Sequence, residues 1–203
     1  MEVRRATNDD VRALAAVLAR AFVHDPFFTW LAGEASERNQ RMRDGWSAIM
    51  RHASAGLAAT WTTVDLAGAA IWIPPGRPAS GVVDAVRLIP GLARMTTWRR
   101  LRMASDAMET LESRRRRHAP GLHWYLAALG VEPDRQGEGI GSALLAPVLA
   151  EADARGEPAY LETAVGRNVL LYERHGFDVV EELVLPKTDI HGWLMRREPR
   201  TRA

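Results

Sequence analysis

The feature that most constrains this chain is a glycine-rich turn, QGEGIGS at 136–142, between two apolar runs. The run before it, 123–131, has the length and composition of a buried strand, and the run after it repeats apolar residues at helical spacing as far as Gly156. A strand that passes through glycines into a helix leaves backbone N–H groups unpaired at the positive end of the helix dipole. The turn is therefore predicted to hold an anion, because a Cβ there would keep a phosphate away from those amides.

Four explanations of the turn compete. A P-loop needs a lysine and then serine or threonine after its last glycine, whereas Ser142 and Ala143 follow Gly141. A dinucleotide fingerprint needs glycine where Ser142 stands, although Glu162 lies near the spacing expected of a ribose-binding acid. The pyrophosphate of coenzyme A is the third candidate ligand. A plain connection between a strand and a helix is the fourth explanation.

Composition narrows the chemistry. The chain has 203 residues and no cysteine, which excludes a disulfide framework, a thiolate metal site and a cysteine nucleophile. Its six histidines lack the paired spacing of a zinc helix, so no metal is predicted. A formal net charge of +2 gives little reason to expect a nucleic-acid partner. The N-terminal residues MEVRRATNDD do not resemble a signal peptide and no window approaches the ~18 apolar residues of a membrane span, so we expect a cytoplasmic protein without a membrane partner.

The residue pattern predicts a mixed α/β fold. Strands are expected near 2–7, in a hairpin within 59–76, and near 123–131, 159–164, 177–185 and 192–197. Helices are expected from Val11 to an interruption at Asp25-Pro26, over about 36–54, and over 169–175. A helical pattern over about 80–118 is divided into two pieces by Pro90-Gly91. A further helix is expected from 140 to Gly156, with Pro147 inside it. The length favours one compact domain over 1–203.

Two motifs carry a family resemblance. QGEGIG at 136–141 matches the Q/R-x-x-G-x-G/A acetyl-coenzyme A signature of the GNAT acetyltransferase superfamily, and the segment from Asn168 through LYERHGF at 171–177 resembles its second motif. More closely, WYLAALGVEPDRQGEGIGSALL, PAYLETA and RNVLLYERHGF resemble the puromycin N-acetyltransferase-like acetyltransferases of bacteria, including the proline within the helix. The resemblance is dense from about 122 to the end, weaker over 4–22 and poor between about 26 and 120.

The resemblance implies a fold, a co-substrate and a set of contacts. The GNAT fold has a twisted mixed sheet of about six to seven strands, helices on both faces, and a splay between two central strands. Acetyl-coenzyme A would lie in that splay, and the 80–118 helices would lie near the mouth that admits the acceptor. The implied co-substrate contacts are Leu129, Gly130, Val131, Gln136, Gly137, Glu138, Gly139, Ile140, Gly141, Ser142, Asn168 and Tyr172.

Acetyl transfer to an amine needs a base, a polarised carbonyl and a proton for the departing thiolate. Tyr172 is the candidate acid, since a phenol of pKa ~10 is protonated at neutral pH. The resemblance puts Tyr172 beside the sulfur. The alternative is that its ring packs in the core. Glu162 is the leading base, because a carboxylate in an apolar strand is costly unless it has a task or a partner. A solvent-facing Glu162 is the alternative, with His123, Asp25 or a water relay as other bases. The resemblance also implies that the Leu129 N–H polarises the carbonyl.

Two other groups stay open at the level of sequence. The arginine run 114–117 is expected to be a solvated helix end, although it has the charge to meet phosphates of coenzyme A or nucleic acid. Phe27, Phe28 and Trp30 either pack in the core or wall an aromatic acceptor pocket.

These expectations combine into an acetyl-coenzyme A-dependent N-acetyltransferase. It would act on a primary amine of a small molecule, such as an antibiotic or amino metabolite, by direct transfer, because no cysteine is available for an acyl-enzyme. A monomer or a homodimer is expected. The alternatives are a protein or peptide N-acetyltransferase, a non-catalytic coenzyme A-binding sensor, and a nucleic-acid-binding protein that uses the arginine run.

Overall fold

The computed structural model describes residues 1–33, 35–52, 59–76 and 93–200. The strands are β1 (Val3–Arg5), β2 (Ala59–Thr63), β3 (Gly68–Ile73), β4 (Trp124–Val131), β5 (Ala159–Thr163), β6 (Asp178–Val184) and β7 (His191–Arg197). The helices are α1 (Val11–Ala21), α2 (Pro26–Ala32), α3 (Ala35–His52), α4 (Trp98–His118), α5 (Ile140–Arg155) and α6 (Val169–Arg174). Short 3-10 helices span Asn8–Asp10, Pro133–Arg135 and Gly166–Asn168.

Within the described residues the strands form one seven-stranded sheet in the order β1-β2-β3-β4-β5-β7-β6. All neighbours are antiparallel except β4 and β5, which are parallel. The mixed α/β prediction and the hairpin within 59–76 are confirmed. The second of the two helices predicted over 80–118 is α4, whereas the first, with its break at Pro90-Gly91, lies outside the described residues.

Helices cover both faces of the sheet. Successive side chains of each strand point to opposite faces, and both faces carry apolar residues that need cover. On one face, Leu14 and Leu18 of α1 and Trp46 of α3 pack with Ile71 of β3. On the other face, a row of apolar residues on α5 packs against β3, β4 and β5; the row includes Ile140, Leu144, Leu145, Val148, Leu149 and Ala152. The sheet is therefore buried between two apolar layers.

The central strands β4 and β5 separate along their length. They pair only at Trp124 with Ala159, Tyr125 with Tyr160 and Leu126 with Leu161. Beyond this point β4 runs on to Val131 paired with β3, while β5 continues along β7. The register between β3 and β4 shifts between Ile71 and Trp72, which leaves Ala127 as an extra residue on β4 where the strands part. A bulge of this kind bends and twists a strand, and the predicted splay is confirmed.

A buried ion pair fastens the last strand to the rest of the fold. Arg197, at the end of β7, is only 2% exposed. Its guanidinium donates to both carboxylate oxygens of Asp153 on α5, each at 2.7 Å, and to the His175 carbonyl at 2.9 Å. The backbone N–H of Arg200 also donates to Asp153, at 2.7 Å. The guanidinium of Arg197 holds the pKa of Asp153 below its usual range.

Replacing Asp153 by alanine is expected to lower the free energy of unfolding by about 3 kcal/mol at pH 7, because it leaves a buried guanidinium without its carboxylate. The matched control is Glu151→Ala on the same helix, whose ion pair with Arg155 is largely exposed and should contribute no more than about 0.5 kcal/mol. Urea denaturation measures both. Since the folded pKa of Asp153 is lowered, its contribution is complete above the unfolded pKa near ~3.9 and is lost as the pH falls through the folded value. Equal losses in the two variants would contradict this assignment.

Candidate active site

The edge of β4 that faces the opening carries backbone groups with no strand partner in the described ranges. The Glu132 N–H donates to the Ala67 carbonyl on the β3 side, at 2.9 Å. Because N–H groups alternate between the two sides of a strand, those of Val131 and Leu129 point into the opening. The side-chain amide of Gln136 donates to the Val131 carbonyl at 3.3 Å and so holds the start of the glycine turn against this edge.

Gly130 allows a helix to pack closely against β4. A Cβ added there would lie 2.7 Å from Leu18 Cδ2 and 3.0 Å from Ala21 Cβ. Glycine at this position therefore lets α1 lie directly on β4. The residue positions the opening by allowing a helix to approach, and its neighbours Leu129 and Val131 present the free N–H groups.

The glycine turn leaves an exposed concave space at the start of α5. Gly137 and Gly139 have φ angles of +91° and +83°, a left-handed conformation that favours glycine. Among the described residues, no atom lies within 4 Å of a Cβ added at either position. Gly139 caps α5 without a side-chain hydrogen bond, so the first N–H groups of the helix remain available to an anion.

Two sets of contacts fix the shape of this turn. Arg135 donates to Glu138 at 3.0 and 2.8 Å and to Asp65, in the turn after β2, at 2.6 Å. Ser142 Oγ lies 2.9 Å from His175 Nε2, which ties the first turn of α5 to the end of α6. Burial holds the pKa of His175 below its usual value, with neighbouring arginines adding to the effect. The sequence analysis missed this contact, and only the position of His175 within the second motif offered a signal for it.

Tyr172 lies on α6, on the α5 side of the sheet, and is only 5% exposed. Its ring meets that of Phe177 edge to face, with centroids 6.0 Å apart. Burial, with a smaller contribution from the negative charge of Asp25, raises the pKa of Tyr172 above its usual range. The phenol is therefore protonated at neutral pH. Asn168 ends the preceding 3-10 helix, and its side chain does not cap α6, although asparagine is a common N-cap residue.

Glu162 is the first residue of β5 beyond its pairing with β4. It shares a face with Tyr160, two residues earlier, and this is the face on which Tyr160 packs with Ala119 at the end of α4. Burial raises the pKa of Glu162 to about 7, and the Tyr125 hydroxyl and the Arg115 guanidinium offset only part of that effect. Glu162 and Tyr172 thus lie on opposite faces of the sheet.

The alternative bases lie in different places. Asp25 caps α2 by accepting the Phe28 N–H at 3.1 Å, and burial raises its pKa. Its charge reaches Tyr172, so it lies near the opening. His123 precedes β4, at the end of that strand away from the glycine turn, and its Nδ1 lies 2.9 Å from the Gly121 carbonyl oxygen. The structure therefore does not bring His123 to the opening.

The aromatic group packs against the core, with Phe27 and Phe28 in contact at a centroid distance of 5.5 Å. The ring of Phe28 packs with Phe22 and Trp46, at centroid distances of 5.0 and 5.2 Å, in the core below α1. Phe27 and Trp30 form a separate contact, with centroids 6.1 Å apart. They pack among α2, α4 and the segment between β6 and β7, in a cluster that includes Ala107, Leu111, Ala164, Leu185 and Ile190.

The arginine run is a solvated helix end, as expected, except at Arg115. Arg115 is only 6% exposed, pairs with Glu112, and places its guanidinium carbon 4.8 Å from the centroid of the Tyr125 ring. Arg114 pairs with Glu181 on β6 at 3.1 Å. Arg116 pairs with Glu112 and is exposed. The expectation was wrong for Arg115 because the docking of α4 on the sheet turns that side chain inward.

Comparison with known proteins identifies the family. The profile of the Acetyltransferase (GNAT) family matches residues 24–177, and the protein belongs to this family of N-acetyltransferases. An uncharacterized N-acetyltransferase of Schizosaccharomyces pombe is 27% identical over 215 residues, which cover 99% of this chain and 85% of that protein. GNAT acetyltransferases use acetyl-coenzyme A as co-substrate.

Solved structures agree on the fold. The structure described as histone acetyltransferase HPA2 and related acetyltransferase from Corynebacterium glutamicum superposes with a TM-score of 0.70 at 23% identity, over 99% of this chain and 97% of that one. A mosquito arylalkylamine N-acetyltransferase like 5b gives a TM-score of 0.62 at 15% identity, over 97% and 99% of the two chains. Among the described residues, no helix is long and apolar enough to cross a membrane, and no three histidine or acidic side chains are grouped as a metal site requires.

The open turn fits the pyrophosphate of the co-substrate, and this assignment has a direct test. Gly139→Ala is expected to weaken coenzyme A binding by at least about tenfold, since the new Cβ fills the turn and the left-handed backbone is strained by about 1–2 kcal/mol. Gly156→Ala is the matched control, because Gly156 at the other end of α5 has a φ of +67° and equally open surroundings. Isothermal titration calorimetry should find its affinity unchanged. Equal weakening in both variants would contradict a pyrophosphate at the turn.

Proposed function

We propose that the chain is a single N-acetyltransferase domain over 1–203 that transfers acetyl from acetyl-coenzyme A directly to a primary amine of a small molecule. The observation that carries the proposal is a carboxylate with a pKa of about 7 at the mouth of the β4–β5 opening, with a buried, protonated phenol on the opposite face. Direct transfer is supported by the lack of cysteine.

The co-substrate contacts follow from the free backbone groups. The turn Gln136–Ser142, including Glu138, and the first N–H groups of α5 would bind the pyrophosphate. The N–H groups of Leu129 and Val131 would hold the pantetheine arm and polarise the acetyl carbonyl, with Asn168 alongside the arm. Acetyl-coenzyme A supplies the activated acetyl group as a thioester.

Glu162 acts as the base in this proposal. An amine attacks only in its unprotonated form, and a carboxylate whose pKa lies near the working pH is well matched to take the proton. The pKa of about 7 meets this condition at neutral pH. The nearby Arg115 and Tyr125 keep the charged form accessible in a site where burial alone would favour the neutral acid.

Tyr172 acts as the acid that protonates the departing sulfur. Its phenol keeps its proton at neutral pH because burial and Asp25 raise the pKa. A thiol has an ordinary pKa of about 8.5, below that of the phenol, so Tyr172 stabilises the departing sulfur by donating a hydrogen bond, and full transfer of the proton is uphill. Glu162 and Tyr172 therefore divide proton removal and proton delivery between the two faces of the sheet.

A small acceptor is favoured by the apolar surroundings on the Glu162 face. Phe27 and Trp30 pack against Ala164, two residues after Glu162, and α4 covers the same face. A compact amine with an aromatic or apolar part suits such surroundings. The motif resemblance to puromycin N-acetyltransferase-like enzymes and the fold shared with an arylalkylamine N-acetyltransferase point the same way. A bacterial, cytoplasmic monomer or homodimer stays a prediction from the sequence.

The role of Glu162 predicts a pH dependence. With Glu162 as base, kcat/KM should rise as the pH increases through about 7, because the carboxylate must lose its proton. Glu162→Gln should remove this limb and lower kcat by about 10²–10⁴-fold, whereas Glu182→Gln at an exposed position of β6 should change neither. The rise of kcat/KM with pH is measured with two acceptor amines of different pKa. If the rise stays near pH 7 with both amines, the titrating group belongs to the enzyme. A limb that moves with the amine would contradict the assignment.

The role of Tyr172 predicts a loss of rate without a loss of binding. Tyr172→Phe should lower kcat by about 10²-fold or more and leave coenzyme A affinity unchanged, because only a proton donor is lost.

The acceptor class is tested in the same assay. Thiol release from acetyl-coenzyme A is measured with a panel of small amines, including puromycin and aminoglycosides, and with peptides. Turnover of peptides alone would identify a protein or peptide acetyltransferase. Binding of coenzyme A with no turnover in the whole panel would favour a sensor instead.

A further inference from the structure

A row of polar side chains, Tyr125, Tyr160 and His123, runs along the sheet from Glu162 away from the glycine turn. Tyr125 and Tyr160 are partners in the parallel pairing of β4 with β5, and their ring centroids lie 6.3 Å apart. Glu162 lies two residues after Tyr160 on the same face of β5, and the hydroxyls of Tyr125 and Tyr160 both act on the pKa of its carboxylate, although Tyr160 Oη makes no hydrogen bond to it. His123, just before β4, meets the Tyr160 ring edge to face at a centroid distance of 6.3 Å. The row therefore leads from the opening toward the end of the sheet away from the glycine turn.

Two atoms in this row are buried without a hydrogen-bond partner among the described residues: Tyr160 Oη and His123 Nε2. The Gly121 carbonyl accepts a hydrogen bond from His123 Nδ1 at 2.9 Å, which places the imidazole hydrogen on Nδ1. The neutral ring then presents Nε2 as an acceptor. A buried hydroxyl and a buried acceptor without partners are groups that an ordered water satisfies.

A surface cavity lies at the far end of the row. It measures about 340 Å³ and is lined by His123, Arg115, Gly121 and Leu122 among others. Leu122 is 62% exposed, so the cavity meets solvent, and its volume accommodates several waters. His123 itself is 8% exposed. The histidine thus lies between the buried tyrosines and a solvent-filled space.

Charged groups from neighbouring elements surround the row. For His123 these are Arg115 and Glu112 of α4 and Arg196 of β7, and burial with the two arginines lowers the pKa of the imidazole below its usual value. For Glu162 they are Arg115 and Glu112, with the hydroxyls of Tyr125 and Tyr160. Burial raises the pKa of both tyrosines, so they stay protonated. A proton on Glu162 therefore meets hydroxyls that pass it on and an imidazole that does not retain it.

We propose that Glu162, Tyr160 and His123, with one water between Tyr160 Oη and His123 Nε2, carry the acceptor's proton to the cavity. The inference rests on the proposed role of Glu162. A primary ammonium loses two protons on becoming an amide, and only one ends on the coenzyme A thiol, so one proton must reach solvent in each turnover.

The transfer conserves atoms and charge. An N–H bond of the acceptor breaks as an O–H bond forms on Glu162. Tyr160 then accepts that proton at its oxygen as its own hydroxyl proton passes to the bridging water. The water protonates His123 Nε2, and the imidazolium releases that proton to water in the cavity. Tyr160 and His123 touch no substrate and are positioning residues for the proton path.

Two variants interrupt the path with little change to the fold. Tyr160→Phe removes a hydroxyl that has no partner among the described residues, and His123→Gln replaces the imidazole with a side chain that cannot be protonated. Each should keep the KM for acetyl-coenzyme A, lower kcat by about tenfold in dilute buffer, and increase the solvent deuterium isotope effect on kcat. Added imidazole should restore the rate by carrying the proton instead. The double variant should be no slower than the slower single variant.

The controls separate the path from general damage. His24→Gln, at an exposed position, should match the wild type in every readout. A crystal structure should show a water within about 2.7–3.2 Å of both Tyr160 Oη and His123 Nε2, independently of activity. Unchanged kcat and isotope effect in both variants, loss of rate that imidazole does not restore, or a dry gap between the two atoms would each overturn the proposal. Absence of turnover by the wild type with every amine would refute the proposed function, and the proton path with it.

Discussion

The structure depends on the point at which two parallel strands stop pairing. β4 and β5 share three residue pairs and then part at Leu126 and Leu161, beside an extra residue at Ala127. Unpaired backbone groups inside a sheet are normally costly, and here they are the donors that we propose for the co-substrate. The same separation frees the edge of β4 and leaves Glu162 as the first residue of β5 without a partner on β4. A continuous sheet would leave none of these groups accessible.

The two faces of the sheet provide different environments at this opening. The face covered by α5 and α6 is apolar, and Tyr172 lies in it with its phenol kept protonated by burial. The face toward α4 holds Arg115, Glu112 and two tyrosines beside Glu162. These surroundings raise the pKa of a phenol on one face and of a carboxylate on the other, which agrees with the acid and base roles proposed for them.

Local rules explain which parts of this arrangement were readable in the sequence. Strand β4, the glycine turn and α5 follow from apolar periodicity, the left-handed glycines 137 and 139, and the terminal Gly156, all of which act within a few residues. The hairpin of β2 and β3 follows for the same reason. Motif resemblance added the splay and the site residues, whose roles in binding and catalysis remain predictions.

The parts that the sequence did not reveal depend on contacts between distant segments. Arg115 appears in a run of four arginines that is typical of a solvated surface, and only the docking of α4 on the sheet buries it against Tyr125. The contact of Ser142 with His175 joins residues 33 positions apart. Asn168 has the residue type of a helix cap, yet the preceding 3-10 turn takes its backbone into a helical conformation in which its side chain does not cap.

Two carboxylates of this fold differ in how completely they are paired. Asp10, which is 7% exposed, accepts two bonds from Arg4 and two from Thr7, and these contacts hold its pKa below the usual range. Asp10 is thereby fixed in one charge state and fastens β1 to the turn before α1. Glu162 has arginine and tyrosine neighbours as well, but burial outweighs them and leaves the pKa at about 7. Complete pairing keeps Asp10 charged, whereas the base role proposed for Glu162 calls for a carboxylate that both gains and loses a proton near neutral pH.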